Sequence, residues 1–207
     1  NRTVYLGDSN GNIWKSTTGA WSWVATPAAG QAGPVVSIDV PQAGHVLVGG
    51  TNACSYSLNG GVSFTRIAAG LGAGGYYIVA SEDYATNSII YAGANAAVAG
   101  GNIFRFTIGT SAAWASLVNP TPGVGMVGIA HLNGALYGMA GPAGATCDRN
   151  LSSTLEPGVV ALLWDTMNIG APAVGAGMFD VAPGSNALYA GGNPAAVPSL
   201  WAYDDWL

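Results

Sequence analysis

Charge is what this sequence has least of. Only 7% of its 207 residues are Asp, Glu, Lys or Arg, against about a quarter in an average soluble domain. Lys15 is the sole lysine, and five basic against ten acidic residues leave a net charge of −5. Without a basic patch to meet phosphates, the composition argues against nucleic acid and anionic lipid as partners. No apolar stretch approaches the ~18 residues of a membrane span, the longest compact run being 159–164. Cysteine is limited to Cys54 and Cys147 and histidine to His45 and His131. That supply contains neither a C-x-x-C-H haem site nor zinc-ligand spacing. Glycine pairs such as Gly49-Gly50 are followed by no lysine and no helix signal, so they form no phosphate loop. No cofactor is expected.

Half of the residues are hydrophobic and 32 are glycine. The apolar content suffices for a buried core and is too high for disorder. Gly and Ala in place of charge imply many turns and closely packed strands. An acidic, lysine-poor composition is common among exported proteins, and the chain opens on Asn1 rather than Met. It is therefore read as a processed or partial chain, secreted or at the cell surface.

A motif recurs along the chain: an apolar pair or Tyr, a small or apolar residue, then Gly. It appears as Val4-Tyr5-Leu6-Gly7, Val46-Leu47-Val48-Gly49, Ile90-Tyr91-Ala92-Gly93, Leu136-Tyr137-Gly138 and Leu188-Tyr189-Ala190-Gly191. Its second residues stand at 5, 47, 91, 137 and 189, steps of 42, 44, 46 and 52. That is in or slightly above the roughly 40–50 residues of a four-stranded propeller blade. An apolar run precedes each motif except the first: Ser37 to Pro41, Tyr77 to Ala80, Val127 to Ala130 and Met178 to Pro183. These read as innermost strands buried on both faces. Aromatic segments at Ile13-Trp14, Cys54-Ser55-Tyr56, Ile103-Phe104 and Leu200-Trp201 follow as third strands. Asn10-Gly11 gives a hairpin signal, with both residues expected at positive φ.

The fold class is all-β, a β-propeller of four-stranded antiparallel blades, with repeats at about 1–30, 31–70, 71–120, 121–170 and 171–207. The first repeat lacks an innermost strand and the last lacks a fourth. The expectation is eighteen strands, four and a half blades, and a ring that this chain does not close alone.

The turn between third and fourth strands repeats as well. It reads Ser57-Leu58-Asn59-Gly60-Gly61-Val62-Ser63-Phe64 in the second repeat, Ser16 to Trp23 with Gly19 in the first, and Thr107 to Trp114 in the third. The fourth is eroded, with an insertion through Pro157-Gly158 before Trp164. This pattern resembles the Asp-box of sialidase-type propellers, with Asn59 at the acidic position. The resemblance implies a structural hairpin: Ser and Asn side chains tie the turn while the aromatic packs between blades. Trp23, Phe64, Trp114 and Trp164 are accordingly expected in the interblade core, Trp201 and Trp206 less so. Degenerate repeats rich in Gly, Ala and Thr also resemble propeller regions of exported bacterial surface-layer proteins.

Chemistry is sparse by comparison. A sialidase needs an arginine cluster, but Arg2, Arg66, Arg105 and Arg149 fall in different blades. A glycoside hydrolase needs two carboxylates ~5–10 Å apart. The best pair is Asp39 and Asp180, at matching places on innermost strands, where the plainer reading is a hydrated or turn-capping Asp. Glu82-Asp83 and Asp204-Asp205 are neighbours that would point to opposite faces of a strand, so they read as solvated turn charges. Sequons start at Asn1 and Asn150. Cys54 and Cys147, on non-adjacent blades, are expected to remain unbridged, with Cys54 aligned to Ile13 and Phe104. The expected function is a non-enzymatic structural domain that self-associates or packs on sister domains; the alternative is a carbohydrate-binding or glycan-hydrolysing propeller.

Overall fold

In the computed structural model, residues 3–27, 29–30, 33–96, 102–118, 124–141, 146–155, 163–168, 178–181, 187–192 and 199–204 are described. Asn1, Arg2, Pro157, Gly158, Asp205 and Trp206 lie outside them, as do the side chains of Asp180 and Trp201.

Among the described residues eighteen strands form five antiparallel sheets. Blade 1 holds β1 (Val4–Gly7), β2 (Ile13–Ser16) and β3 (Val24–Ala25). Blade 2 holds β4 (Val35–Gln42), β5 (His45–Gly50), β6 (Ala53–Ser57) and β7 (Thr65–Ile67). Blade 3 holds β8 (Tyr76–Ala80), β9 (Ile89–Ala94), β10 (Ile103–Thr107) and β11 (Ala115–Ser116), with the short helix α1 (Tyr84–Asn87) between β8 and β9. Blade 4 holds β12 (Met126–Leu132), β13 (Ala135–Ala140), β14 (Thr146–Asn150) and β15 (Trp164–Asn168). Blade 5 holds β16 (Met178–Val181), β17 (Ala187–Gly192) and β18 (Ser199–Asp204). Sequence neighbours pair in every sheet, giving the up-and-down meander of a propeller blade. Among the described residues β1 pairs with β2 and is not hydrogen-bonded into blade 5.

The core is four slabs rather than one, each lying between two consecutive blades. Ile13, Ala29, Val46 and Val48 fill the junction of blades 1 and 2. Leu47, Cys54, Tyr76, Ile78, Phe104 and Trp114 are among those filling the second. Tyr91, Ile103, Met126 and Leu136 belong to the third, and Tyr137, Met139, Cys147 and Leu188 to the fourth. Alternation along a strand sends successive residues to opposite junctions, which is why the second strands are apolar on both faces.

The motif glycine is now explained. A methyl group on Gly7, Gly49 or Gly93 would strike the next blade, at Val35, the Tyr76 carbonyl and Ile129 respectively. The blades approach too closely there for any side chain. In the fourth repeat the register slips by one. Gly138 turns back toward Ile103 of blade 3, and Met139 takes the forward position.

Three expectations change. β4 is only half buried along most of its length, because among the described residues blade 1 offers it no innermost strand to lie against. Asn10-Gly11 is not a two-residue turn: only Gly11 has positive φ, and Asp8 Oδ1 accepts the Asn10 and Asn12 amides at 2.9 Å each. The two-residue Asn-Gly turn is Asn133-Gly134, at φ 51° and 77° between β12 and β13. Cys54 lies opposite Gly49 as Ile103 lies opposite Gly93, so its counterpart is Ile103 rather than Phe104, which faces the other junction. Among the described residues neither cysteine forms a disulfide, and both are buried.

Candidate functional site

The innermost strands were the place to look for paired carboxylates. Asp39 and Asp180 do hold equivalent positions, opposite Leu47 and Tyr189 in the second strands. Asp39, however, is engaged in joining blades. Its Oδ2 accepts the Ala80 amide at 2.8 Å, and Ser37 Oγ accepts the Ile78 amide at 2.8 Å. Two side chains of β4 thus satisfy edge amides of β8 in the next blade, groups that would otherwise need water.

The polar cluster with most connections lies around the segment before α1. His131 is buried and stacks on Tyr91, with ring centroids 5.3 Å apart and an interplanar angle of 8°. Its Nδ1 accepts the Glu82 amide at 3.3 Å and lies 3.7 Å from Glu82 Oε2. On the other side Nε2 lies 3.5 Å from Ser153 Oγ, which also accepts the Tyr91 hydroxyl at 3.1 Å. Carboxylate, imidazole and hydroxyl occur in that order, but the roles are wrong for a nucleophile. An amide N–H only donates, so Nδ1 is the acceptor and the proton sits on Nε2. Ser153 is also fully buried. Glu82 Oε2 additionally accepts the Gly134 amide at 2.9 Å, so it ties the next blade's hairpin rather than standing as a free turn charge. Burial pushes the His131 pKa down, with Glu82 and Asp83 opposing. Among the described residues no three His, Cys, Asp or Glu gather as a metal site.

A cation position escaped sequence reading because it carries different residue types. Opposite Tyr5, Tyr91 and Tyr137 stand Lys15, Arg105 and Arg149. Lys15 Nζ donates to Gly60 O at 2.7 Å, and Arg105 donates through Nη2 to Thr154 O at 3.1 Å, each reaching a turn of the following blade. Arg149 pairs with Asp165 at 2.7 Å. Beside Lys15 a cleft of about 290 Å³ opens between blades 1 and 2, lined by Ser22, Thr26, Pro27, Gly60 and Val62 among others.

The hairpin turns divide cleanly. Ser57 Oγ accepts the amides of Asn59 and Gly61 at 3.3 and 2.9 Å, and Asn59 Oδ1 accepts the Ser63 amide at 3.0 Å. Gly60 and Gly61 both have positive φ. The first repeat reproduces this with a threonine. Ser16 Oγ accepts the amides of Thr18 and Ala20, and Thr18 Oγ1 accepts the Ser22 amide at 3.0 Å, with Gly19 and Ala20 at positive φ. The third repeat departs. By register Phe106, not Thr107, takes the Ser57 place, so this turn is one residue longer. Thr107 Oγ1 is buried without a partner among the described residues. In the fourth, Asn150 is buried and its Oδ1 accepts the Ser152 amide at 2.7 Å, which takes this sequon out of reach of a glycan.

Three of the four turn aromatics pack at a junction. Trp114 is buried and donates Nε1–H to Ile67 O at 3.2 Å; Trp164 donates to Leu117 O at 2.7 Å. Phe64 is half buried at the first junction. Trp23 departs from the expectation: it is exposed, because its place leans toward a preceding blade and among the described residues blade 1 has none.

The same asymmetry marks both ends of the arc. Val46, Val48, Ile90, Ala92 and Leu136 are 0% exposed on the faces turned to the preceding blade, yet their counterparts Val4 and Leu6 are 41% and 49% exposed. Ile13, Cys54, Ile103 and Cys147 are 0% exposed on the faces turned to the following blade, yet Leu200, paired with Gly191 as they are with their own partners, is 72% exposed.

No family model and no curated protein matches this sequence. Solved structures do resemble it. The nidogen/laminin complex matches with a TM-score of 0.69 at 13% identity, over 98% of this chain and 72% of that one. Niastella koreensis GH74 enzyme matches with 0.66 at 18%, over 92% and 32%. YCF48 bound to D1 peptide matches with 0.57 at 13%, over 99% and 64%. The chain thus spans about two thirds of the YCF48 chain and one third of the GH74 chain. With the sheet order above, these likenesses make the fold a β-propeller.

Proposed function

We propose that this chain is a non-enzymatic assembly module of an exported or cell-surface protein: an arc of propeller blades whose two end faces dock further β-sheet. The observation that carries this is the exposure of Val4, Leu6 and Leu200 at positions whose internal counterparts are fully buried. Each Val or Leu taken out of water contributes roughly 1.5–3 kcal/mol, so the bare faces favour association. The similar solved structures of YCF48 bound to D1 peptide and of the nidogen/laminin complex support a protein partner. Export rests on the acidic, lysine-poor composition.

A glycan-hydrolysing role has less support. Asp39 is occupied by the Ala80 amide, and the Arg side chains serve separate junctions and strands. The test is hydroxyl-radical footprinting of the protein from its native source against the isolated chain. Trp23, Leu6 and Leu200 are expected to be protected only in the native assembly. Equal labelling in both would overturn the reading.

A further inference from the structure

The two bare end faces are of opposite kind. Blade 1 shows the face that, inside the chain, always receives a preceding blade; blade 5 shows the face that always receives a following one. Each of the four internal junctions joins one face of each kind. We propose, resting on the reading above, that the occupant is a second copy of this chain. Blade 5 of one molecule packs on blade 1 of the next, head to tail.

Both end faces continue the pattern of the junctions already formed. Leu200 has the register of Ile13, Cys54, Ile103 and Cys147, which fill those junctions from behind. Val4 and Leu6 have the register of Val46 and Val48, which fill them from the front. Gly191 stands where Gly7, Gly49 and Gly93 allow the next blade to come close. Lys15 faces the other side of blade 1, bonded to Gly60, so the Val4/Leu6 pair is not flanked by that charge. The contact is heterologous, each copy offering one face and receiving on the other. Repetition therefore closes a ring or grows a filament, whereas an isologous contact would need blade 1 on blade 1 or blade 5 on blade 5.

Sedimentation of the 207-residue chain across a concentration range tests this. Masses are expected to rise in multiples of 20.7 kDa. Leu6→Lys and Leu200→Lys are each expected to abolish association at least tenfold; both sites are solvent-facing in the single chain, so both variants fold, which circular dichroism checks. Mixed in equal amounts, the two variants are expected to form a 1:1 complex and nothing larger, since one keeps a sound front face and the other a sound back face. A chain monomeric at all concentrations, a Leu200→Lys variant that associates like the parent, or a mixture that stays monomeric overturns the second copy as occupant. If association fails while native footprinting still shows protection, the docking role survives and the partner is a different polypeptide.

Discussion

His45 and His131 hold one segment from two sides. His45, at the start of β5 in blade 2, places Nδ1 3.0 Å from the Tyr84 hydroxyl, while His131, on β12 in blade 4, accepts the Glu82 amide. Residues 82–84 of blade 3 are thereby clamped between the blades on either side. His131 itself is buried, and a pH response follows from that. Its folded pKa lies below the ordinary value of 6.5 because burial disfavours the imidazolium more than Glu82 and Asp83 favour it. The unfolded chain binds the proton first as pH falls. The stability His131 contributes is therefore complete above about pH 6.5 and is lost as pH falls through the lower folded value. Urea unfolding of the parent and of His131→Gln between pH 8 and 5 checks this: the parent should weaken more steeply below pH 6.5, and parallel curves would reject it.

Trp114 and Trp23 hold the same place in their hairpins and should respond oppositely to truncation. Trp114 fills the second junction and donates to Ile67 O. Trp114→Ala is expected to cost about 3–5 kcal/mol. Trp114→Phe, which loses mainly the hydrogen bond, should cost about 1–2 kcal/mol. Trp23→Ala in the isolated chain should stay within about 1 kcal/mol, as Trp23 has no preceding blade to pack on among the described residues. Chemical denaturation ranks the three. A Trp23 loss equal to that of Trp114 would mean that the front of blade 1 is covered after all.

The strand count and the blade order were legible because a four-strand repeat prints its period on the sequence, and the Leu-Tyr-Ala-Gly motif marks each second strand. Inner polar groups were not legible. Asp39 meets Ala80 across a junction 41 residues long, a separation with no local signature. The two histidines occupy unlike repeat positions, so nothing in the spacing suggests one shared target. Lys15, Arg105 and Arg149 escaped notice because their equivalence rests on register. The third hairpin misled for the converse reason: Thr107 and Trp114 keep the seven-residue spacing of Ser57 and Phe64, while one extra residue moves Thr107 off the capping position.

That shift sets Thr107 apart from Thr18, the threonine of the first-repeat turn. Thr18 Oγ1 accepts the Ser22 amide and bonds the Ser22 hydroxyl, both at 3.0 Å. Thr18→Val should cost about 1 kcal/mol, the usual net worth of a turn hydrogen bond. Thr107 Oγ1 is buried with no partner among the described residues, so the isosteric Thr107→Val removes an unpaid desolvation and should stabilise by about 1 kcal/mol. Melting temperatures of the two variants should move in opposite directions. A destabilised Thr107→Val would show that its hydroxyl has a partner in solution.

Gly49 offers the sharpest test of how the blades are spaced. It lies in the buried stretch of β5, outside the positive-φ region, so alanine there meets no backbone strain. On propensity alone Gly→Ala should gain a few tenths of a kcal/mol by restricting the unfolded chain. Contact decides the other way. The added methyl would overlap the Tyr76 carbonyl and press on Ser37 Oγ, the group that accepts the Ile78 amide. Backbone does not yield as a flexible side chain would, so blades 2 and 3 must part along their whole junction. Gly49→Ala is expected to cost about 3 kcal/mol, at the upper end for overpacking. Gly134→Ala, where nothing lies within 4 Å of the added methyl, isolates the alternative cost, since it is strained only by its φ of 77° and should lose about 1–2 kcal/mol. Equilibrium unfolding of both variants measures the difference. A neutral Gly49→Ala would show that the interblade spacing is looser than this packing requires.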